Sequence, residues 1–104
     1  GMNGQGFSFQ GYLSAKKPEL SKDLNRLEQL SRKYRQTQIF IETPYRNMGM
    51  LEEAFKTLSA ETRLCVAVDL SLETEFILTK KIKDWKKLKL PNFHKRPAIF
   101  LIQG

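Results

Sequence analysis

The chain has few of the residues from which many catalytic sites are built. It contains one cysteine, Cys65, and one histidine, His94, in 104 residues. A lone cysteine forms no internal disulfide, which is typical of a protein of the reducing cytoplasm. Cys65 lies among aliphatic residues, whereas a reactive thiol needs an electropositive, partly open setting. We interpret Cys65 as a core residue. His94 follows no nucleophile or carboxylate, so we interpret it as a surface histidine.

Motifs that bind metals, nucleotides or membranes are missing as well. No Cys/His cluster has the spacing of metal ligands, so we expect no metal site. Gly4 and Gly6 precede a predicted strand and open no helix, which excludes a dinucleotide or P-loop motif there. No apolar run approaches the roughly 18 residues of a membrane span, and no signal-peptide pattern begins the chain. We expect a cytoplasmic protein. Gly1 before Met2 is typical of an expression remnant.

The composition fits one basic globular domain. Hydrophobic residues make up 40% of the chain and charged residues 28%. A length of 104 residues suits a single domain. The formal charge is +7, from 18 lysines and arginines against 11 acidic residues. Such an excess favours an anionic partner, and nucleic acid is the commonest candidate.

Hydrophobic periodicity predicts the first half of the chain as β-α-β-α. Phe7 and Phe9 alternate in a short strand, in which Gly11 indicates a bulge or a close backbone approach. A helical stripe follows after Pro18, formed by Leu20, Leu24, Leu27, Leu30 and Tyr34. Residues 38–42 form a buried strand. A second helix, capped by Asn47, would bury Met48, Leu51, Phe55 and Leu58.

The second half reads β-β-α-β. Residues 63–70 are nearly all apolar, which is typical of a strand covered on both faces. Residues 75–79 predict an antiparallel neighbour. Ile82 and Trp85 would face inward on a short helix ringed by lysines, and residues 97–102 form the last strand. The predicted fold is a single α/β domain of two or three layers, with a mixed β-sheet flanked by helices in the order β-α-β-α-β-β-α-β.

The loop after the central strand is the first candidate site. It reads Glu42-Thr43-Pro44-Tyr45-Arg46. Ligands of open α/β sheets bind outside the carboxyl ends of the strands. The plainer alternative is that Pro44 only ends a strand and that Tyr45 and Arg46 are ordinary surface residues. No catalytic residue is identified.

Several segments resemble a known family. Residues 7–13 (FSFQGYL) resemble the opening "F-x-F-x-G-F-L-P" of the second domain of ribosomal RNA small-subunit methyltransferase I, in the tetrapyrrole methylase superfamily. Residues 39–46 (IFIETPYR) are similar to its "I-F-Y-E-S-P-H-R", with Glu42, Pro44 and Arg46 kept. Residues 67–71 resemble its "A-R-E-L-T-K", and Glu73 and Glu75 its following acidic pair. Residues 97–102 resemble the closing strand of the superfamily.

The chain departs from the family pattern at four positions, where the family has Tyr, His, Arg and Lys. These positions are Ile41, Tyr45, Val68 and Leu72. The departures remove basic residues and leave open whether the substrate is the same.

The resemblance implies half of an enzyme that uses S-adenosylmethionine. Residues 1–104 would form the C-terminal domain, and an N-terminal methyltransferase domain would be missing, so we expect the isolated domain to be inactive. By the same resemblance, the cofactor would contact Ile41, Glu42, Thr43, Pro44, Ala67, Pro97 and Ala98. We expect Glu42 to matter more to cofactor binding than to stability.

The implied substrate is ribosomal RNA or the small ribosomal subunit, methylated on a ribose 2′-oxygen. Its contacts would be Arg46, from the family motif, and Lys83, Lys86 and Lys87, from the outward-facing lysines of the third helix. A homodimer is compatible with the sequence, and no membrane partner is expected.

Two alternatives stay open. One is a methylase of a tetrapyrrole or another small molecule, which the positive charge disfavours. The other is a stand-alone basic RNA-binding module. The sequence speaks against that module because Phe7, Phe9 and Trp85 are predicted to lie in apolar stripes, leaving no exposed platform for base stacking.

Overall fold

A computed structural model describes residues 6–14, 16–43, 46–88 and 96–104. Its elements are β1 (Phe7–Tyr12), α1 (Lys17–Tyr34), β2 (Thr37–Glu42), α2 (Asn47–Thr57), β3 (Arg63–Val68), β4 (Phe76–Lys81), α3 (Ile82–Trp85) and β5 (Ala98–Gln103). The predicted element order is confirmed, with strand boundaries that differ by one or two residues. Pro44, Tyr45 and His94 lie outside the described residues.

The five strands form one mixed sheet in the order β1-β2-β5-β3-β4. β1 and β2 are parallel, and β5 is antiparallel to both β2 and β3. β4 is antiparallel to β3. β1, β2 and β3 therefore point the same way. These three strands end at Tyr12, Glu42 and Val68, and we call this end of the sheet the carboxyl edge. The opposite end of the sheet, where the three strands begin, is the amino edge.

The core lies between the helices and one face of the sheet. Phe40, Phe100 and Val66 are cross-strand neighbours on this face, and none of them is exposed to solvent. Leu24, Leu27 and Leu51 of the helices belong to the same hydrophobic core as these strand residues. On the opposite face of the sheet, Ile39, Ile41, Ile99 and Leu101 are only partly buried. Among the described residues no helix covers that second face, so the domain has two layers, the lower of the two predicted numbers.

The leucine stripe of α1 is correct over its first three turns. Leu20, Leu24 and Leu27 are buried, but Tyr34 is 54% exposed. The buried positions nearer the end of the helix are polar instead, because they bind neighbouring loops. The Glu28 carboxylate accepts hydrogen bonds from Ser59 N (2.8 Å) and Thr62 Oγ1 (2.6 Å). A hydrophobic pattern does not reveal such positions.

The buried face of α2 differs from the predicted one. Asn47, Met50, Leu51 and Ala54 are buried, while Met48 and Phe55 are only partly buried. The interpretation of Asn47 as the helix cap is wrong, since the N-cap is Arg46. The buried Asn47 side chain instead donates a hydrogen bond from Nδ2 to the Arg96 carbonyl (2.9 Å), tying α2 to the start of β5.

The third helix matches its prediction. Ile82 and Trp85 are fully buried. Trp85 Nε1 donates to the Leu64 carbonyl at 2.8 Å, and its ring stacks on Phe55 with centroids 6.2 Å apart. The polar end of the indole is thus satisfied inside the core, which is the usual condition for burying tryptophan.

β1 confirms one expectation and overturns another. The pairing register with β2 shifts between Phe9 and Tyr12, and Gly11 has φ +71°, so Gly11 does mark a bulge. The prediction that Phe7 and Phe9 lie in an apolar stripe is wrong: they are 60% and 66% exposed. They project from an edge strand onto the face that carries no helix, and alternation alone does not distinguish a covered face from an open one.

Within the part of the chain that the structure describes, no helix is long and apolar enough to cross a membrane.

Candidate functional site

A cavity lies at the carboxyl edge of the described domain, on the open face of the sheet. Its volume is about 420 Å³, within the roughly 300–1,000 Å³ range of small-molecule sites. The lining residues come from three parallel strand ends and the start of β5. They are Tyr12, Ile41, Glu42, Ala67, Asp69, Leu70, Leu72, Pro97, Ala98 and Ile99. We call this space the strand-end cavity.

The pairing register builds the floor of the strand-end cavity. Tyr12 lies beside Ile41, Ile41 beside Ile99, and Ile99 beside Ala67. The bulge at Gly11 sets this register, because it shifts Tyr12 into line with Ile41. Ala67 has the smallest side chain of these four residues, so the cavity is deepest there. Tyr12 is 62% exposed, so the cavity opens to solvent on this side.

The β3–β4 loop forms the outer wall. Leu70 and Leu72 extend from it and are 44% and 59% exposed. Asp69 and Ser71 have positive φ angles of 52° and 68°, in the left-handed region that residues other than glycine adopt at a cost, smaller for Asp than for Ser. Tight hydrogen bonding at the base of the loop holds this conformation.

The centre of that bonding is the Asp69 carboxylate. Its Oδ2 accepts from Arg96 Nε (2.7 Å) and Thr74 Oγ1 (2.8 Å), and Arg96 Nη2 donates to the Thr74 carbonyl (2.8 Å). The Asp69 N–H donates to the Pro97 carbonyl at 3.0 Å. The Arg96 guanidinium, with help from Thr74, holds the pKa of Asp69 below its usual value. Asp69 therefore joins the wall loop to the start of β5 as a charged group at neutral pH.

Glu42 lies at the boundary of two cavities. Its side chain is 2% exposed, and its Oε1 accepts from Thr43 N (2.8 Å) and lies 3.1 Å from both Nε and Nη2 of Arg46. None of the described residues donates a hydrogen bond to Oε2. The second cavity, of about 200 Å³, is lined by Ser14, Lys17, Leu20, Glu42, Arg46, Gly49 and Met50. Glu42 is thus a structural partner of Arg46 as well as a cavity residue.

The structure brings together most of the predicted cofactor contacts. Those lining the strand-end cavity are Ile41, Glu42, Ala67, Pro97 and Ala98. Thr43 is half-buried beside them and donates its N–H to Glu42, without lining the cavity. Pro44 lies outside the described residues. These positions agree with the predicted site, while their binding roles stay predictions.

The predicted substrate contacts are not brought together. Arg46 lies at the carboxyl edge, beside the second cavity. Lys83 belongs to α3, whose first residue donates its N–H to the Thr62 carbonyl at the amino edge. Lys86 and Lys87 directly follow α3. The Lys83 side chain is exposed, and its Nζ also pairs with a carboxylate oxygen of Glu61 at 2.8 Å.

Sequence reasoning missed half of the cavity lining, namely Tyr12, Asp69, Leu70, Leu72 and Ile99. Asp69 had a usable signal: it follows an apolar strand directly, as Glu42 ends one. Tyr12 joins the site only through the bulge, and Leu70 and Leu72 only through the fold of the loop. No spacing rule in the sequence gives those positions.

No group of three or more acidic, His or Cys side chains suitable for a metal ion occurs among the described residues. The Asp69 carboxylate is paired with Arg96, which favours its charged, hydrogen-bond-accepting form over a role as a proton donor. The chemistry on offer is binding and orientation in an apolar space with two acidic acceptors.

Comparisons with known proteins place the fold. No family model matches the chain, and no curated protein matches its sequence. Among solved structures, the methyltransferase CobJ is similar with a TM-score of 0.56 and 12% identity, covering 96% of this chain and 41% of CobJ. Uroporphyrin-III C-methyl transferase from Thermus thermophilus is similar with a TM-score of 0.48, both complexed with S-adenyl homocysteine (11% identity, 96% and 42% covered) and in its native form (12% identity, 96% and 40%). The chain thus spans about two fifths of these proteins, and over that part it has the fold of the methyltransferase CobJ.

Proposed function

We propose that this chain is the C-terminal domain of a larger S-adenosylmethionine-dependent methyltransferase that modifies a ribose 2′-oxygen of small-subunit ribosomal RNA. In this proposal the strand-end cavity forms one wall of the methyl-donor site. One observation supports this proposal more strongly than the others. The residues that the sequence resemblance assigns to the cofactor come from three separate strands, and five of them line a single cavity. The fold similarity to the methyltransferase CobJ supports the same assignment.

The cavity lining suits the chemistry of the donor. Ile41, Ile99 and Ala67 form an apolar floor that a flat ring can lie on, and small Ala67 leaves room for it. The ligand's hydroxyl and ammonium groups need acceptors, and the Glu42 and Asp69 carboxylates are acceptors only. The donor supplies the activated methyl group. The chain's own task is to hold and orient it, and positioning of two reactants provides much of the acceleration in such transfers.

The proposal also requires a second domain. The cavity lies on the sheet face that no described helix covers, and Tyr12 and Leu72 at its rim are more than half exposed. A donor held only on this face would stay in contact with water. An N-terminal domain packed over it would exclude water and carry the remaining contacts, so we expect the isolated chain to be inactive.

Methyl transfer tests the proposal. The longer natural protein that contains this chain should transfer label from S-adenosylmethionine to small ribosomal subunits, and the chain alone should transfer nothing above background. In the longer protein, Ala67→Leu fills the cavity floor and should raise the KM for S-adenosylmethionine at least tenfold, a loss of about 1.4 kcal/mol of binding.

Ile77→Leu is the matched control, since Ile77 lies beside Ala67 in the register but outside the cavity lining. It should leave this KM unchanged. Robust transfer by the isolated chain, or an Ala67→Leu enzyme with normal KM, would overturn the proposal.

A further inference from the structure

The positive charge of the chain is concentrated at the end of the domain opposite the strand-end cavity. α1 and α2 end, β3 begins and β4 ends at the amino edge. The basic residues there are Arg32, Lys33, Arg35, Lys56, Arg63, Lys80, Lys81, Lys83, Lys86 and Lys87. The acidic ones are Glu28, Glu61 and Asp84. The other described residues include six basic and eight acidic ones. The positive charge of the described domain is therefore a local property of the amino edge.

Five of these residues lie at the adjoining ends of α1, β3, β4 and α3, and we call them the basic surface: Arg32, Arg35, Arg63, Lys81 and Lys83. Arg63 and Lys81 are directly paired across β3 and β4. Arg32 Nη2 lies 3.4 Å from Thr62 Oγ1, next to Arg63 in the chain. Arg35 caps the end of α1, two residues before β2. From β2 to β4 the sheet is about 14 Å across, so these charges spread over a length that suits an extended polyanion.

Glu61 organises part of this surface. Its two carboxylate oxygens bind Lys81 Nζ and Lys83 Nζ, each at 2.8 Å. The two lysines lower the pKa of Glu61 to about 2, and Glu61 in turn raises the pKa of Lys83. All three side chains stay substantially exposed, so this arrangement holds two ammonium groups side by side at the surface without burying them.

We infer that the basic surface is a docking site for the sugar-phosphate backbone of single-stranded RNA, separate from the strand-end cavity. The inference rests on the proposed function for the choice of RNA, and adds where the substrate is held. A six-residue strand spans about 20 Å, so RNA docked at the amino edge extends a strand's length before it reaches the carboxyl edge. The basic surface then positions a long substrate, whereas the cavity holds the methyl donor.

Exposed aromatic side chains beside the basic surface favour a single strand over a duplex. Phe7 begins β1 at the amino edge and is 60% exposed, and Tyr34, at the end of α1, is 54% exposed with the Lys33 ammonium 5.3 Å from its ring. Unpaired bases stack on such rings next to cationic groups, while duplex RNA offers no base faces to them. The objection that the chain lacks an exposed stacking platform does not hold in the structure.

The test is the salt dependence of RNA binding by the chain, measured by fluorescence anisotropy with a labelled single-stranded oligonucleotide. Each lysine or arginine on a phosphate contributes about 0.7 to the slope of log K on log salt for single strands. The double variant Arg63→Gln/Lys81→Gln should flatten the slope by about 1.4. The matched control, Lys16→Gln/Lys22→Gln, removes the same charge near the start of α1 and should leave the slope unchanged.

Glu61→Gln provides a change of the opposite sign. It removes the carboxylate that competes with phosphate for two lysines, so RNA affinity should rise about fivefold at low salt. All variants change exposed side chains, and a normal unfolding midpoint checks that each is folded. Equal flattening of the salt slope by the test and control double variants would overturn the inference. Weaker RNA binding by Glu61→Gln would overturn it as well, and so would complete displacement of the RNA by anionic vesicles.

The readouts separate this inference from the proposed function. RNA binding that depends on Arg63 and Lys81, together with failure of the longer protein to transfer methyl groups, would refute the proposed reaction and leave the docking site standing. Methyl transfer by the longer protein, together with RNA binding that does not depend on Arg63 and Lys81, would refute the docking site and leave the proposed reaction standing.

Discussion

Replacing Glu42 is the sharpest probe of the link between fold and site. Glu42 is nearly fully buried at the end of β2, accepts the Thr43 N–H at 2.8 Å and pairs with Arg46 at 3.1 Å. Its second oxygen has no donor among the described residues, and the residue lines both cavities. The sequence alone suggested a binding role with little effect on stability. Its contacts and its position in the cavities predict that Glu42 affects both binding and stability.

The structure sets the expected size of the effect. A hydrogen bond to a charged acceptor contributes about 1.5–3 kcal/mol. The Arg46 side chain is 43% exposed, so its ion pair adds only about 0–1 kcal/mol after solvent screening. Glu42→Ala should therefore cost about 2 kcal/mol, or roughly 8–16 °C in Tm for a domain of this size. Glu42→Gln keeps an acceptor for Thr43 and should cost about 1 kcal/mol.

Urea unfolding followed by the fluorescence of Trp85 measures these values, because Trp85 is the only tryptophan and is fully buried. Glu52→Gln, an exposed change on α2, is the control and should stay within about 0.5 kcal/mol. Glu42→Gln should still weaken binding of S-adenosylmethionine by the longer protein, since it removes the charge at the cavity. Normal stability of Glu42→Ala, or normal cofactor binding by Glu42→Gln, would refute one half of this reasoning.

Three further predictions concern the fold. Glu28→Ala removes the buried acceptor of two hydrogen bonds and should cost about 3 kcal/mol by urea unfolding; a loss below about 1 kcal/mol would contradict the role of these bonds. Gly11→Ala should cost about 1–2 kcal/mol because of its positive φ, and an unchanged midpoint would argue against the bulge. The pKa of Glu61 falls to about 2 on folding, so the stability it contributes is complete above its usual pKa of 4.5 and is lost as the pH falls towards 2. Glu61→Gln should flatten the fall of Tm over that pH range, and an identical acid profile would show that the pairs with Lys81 and Lys83 do not form in solution.

The fold was predictable where apolar periodicity and backbone chemistry decide the structure. The element order, the inward Ile82 and Trp85, and the bulge at Gly11 all follow from local pattern. The pattern failed where a polar residue is buried by a specific partner. Glu28 on α1 and Asn47 on α2 occupy core positions because they bind loops that the sequence does not place.

The sequence predicted the part of the site that lies at the strand ends, but not the loop that forms its outer wall. Ile41, Glu42 and Ala67 meet because parallel strands end at one edge, which a correct topology implies. The outer wall depends on the positive-φ loop held by Asp69 and Arg96, and hydrophobic pattern contains no information about that conformation. The distance between Arg46 and the α3 lysines also needed the sheet order, since both looked like parts of one substrate site.

The most direct test of the central claim, that the strand-end cavity receives the methyl donor, is a methyl NMR titration of the chain with S-adenosylmethionine. Ile41 and Ile99 lie on the cavity floor, while Ile82 and Ile102 are fully buried elsewhere in the core. Weak, saturable shifts at Ile41 and Ile99, with Ile82 and Ile102 unmoved, are the predicted result. Shifts centred on other methyl groups, or none up to millimolar donor, would contradict the account.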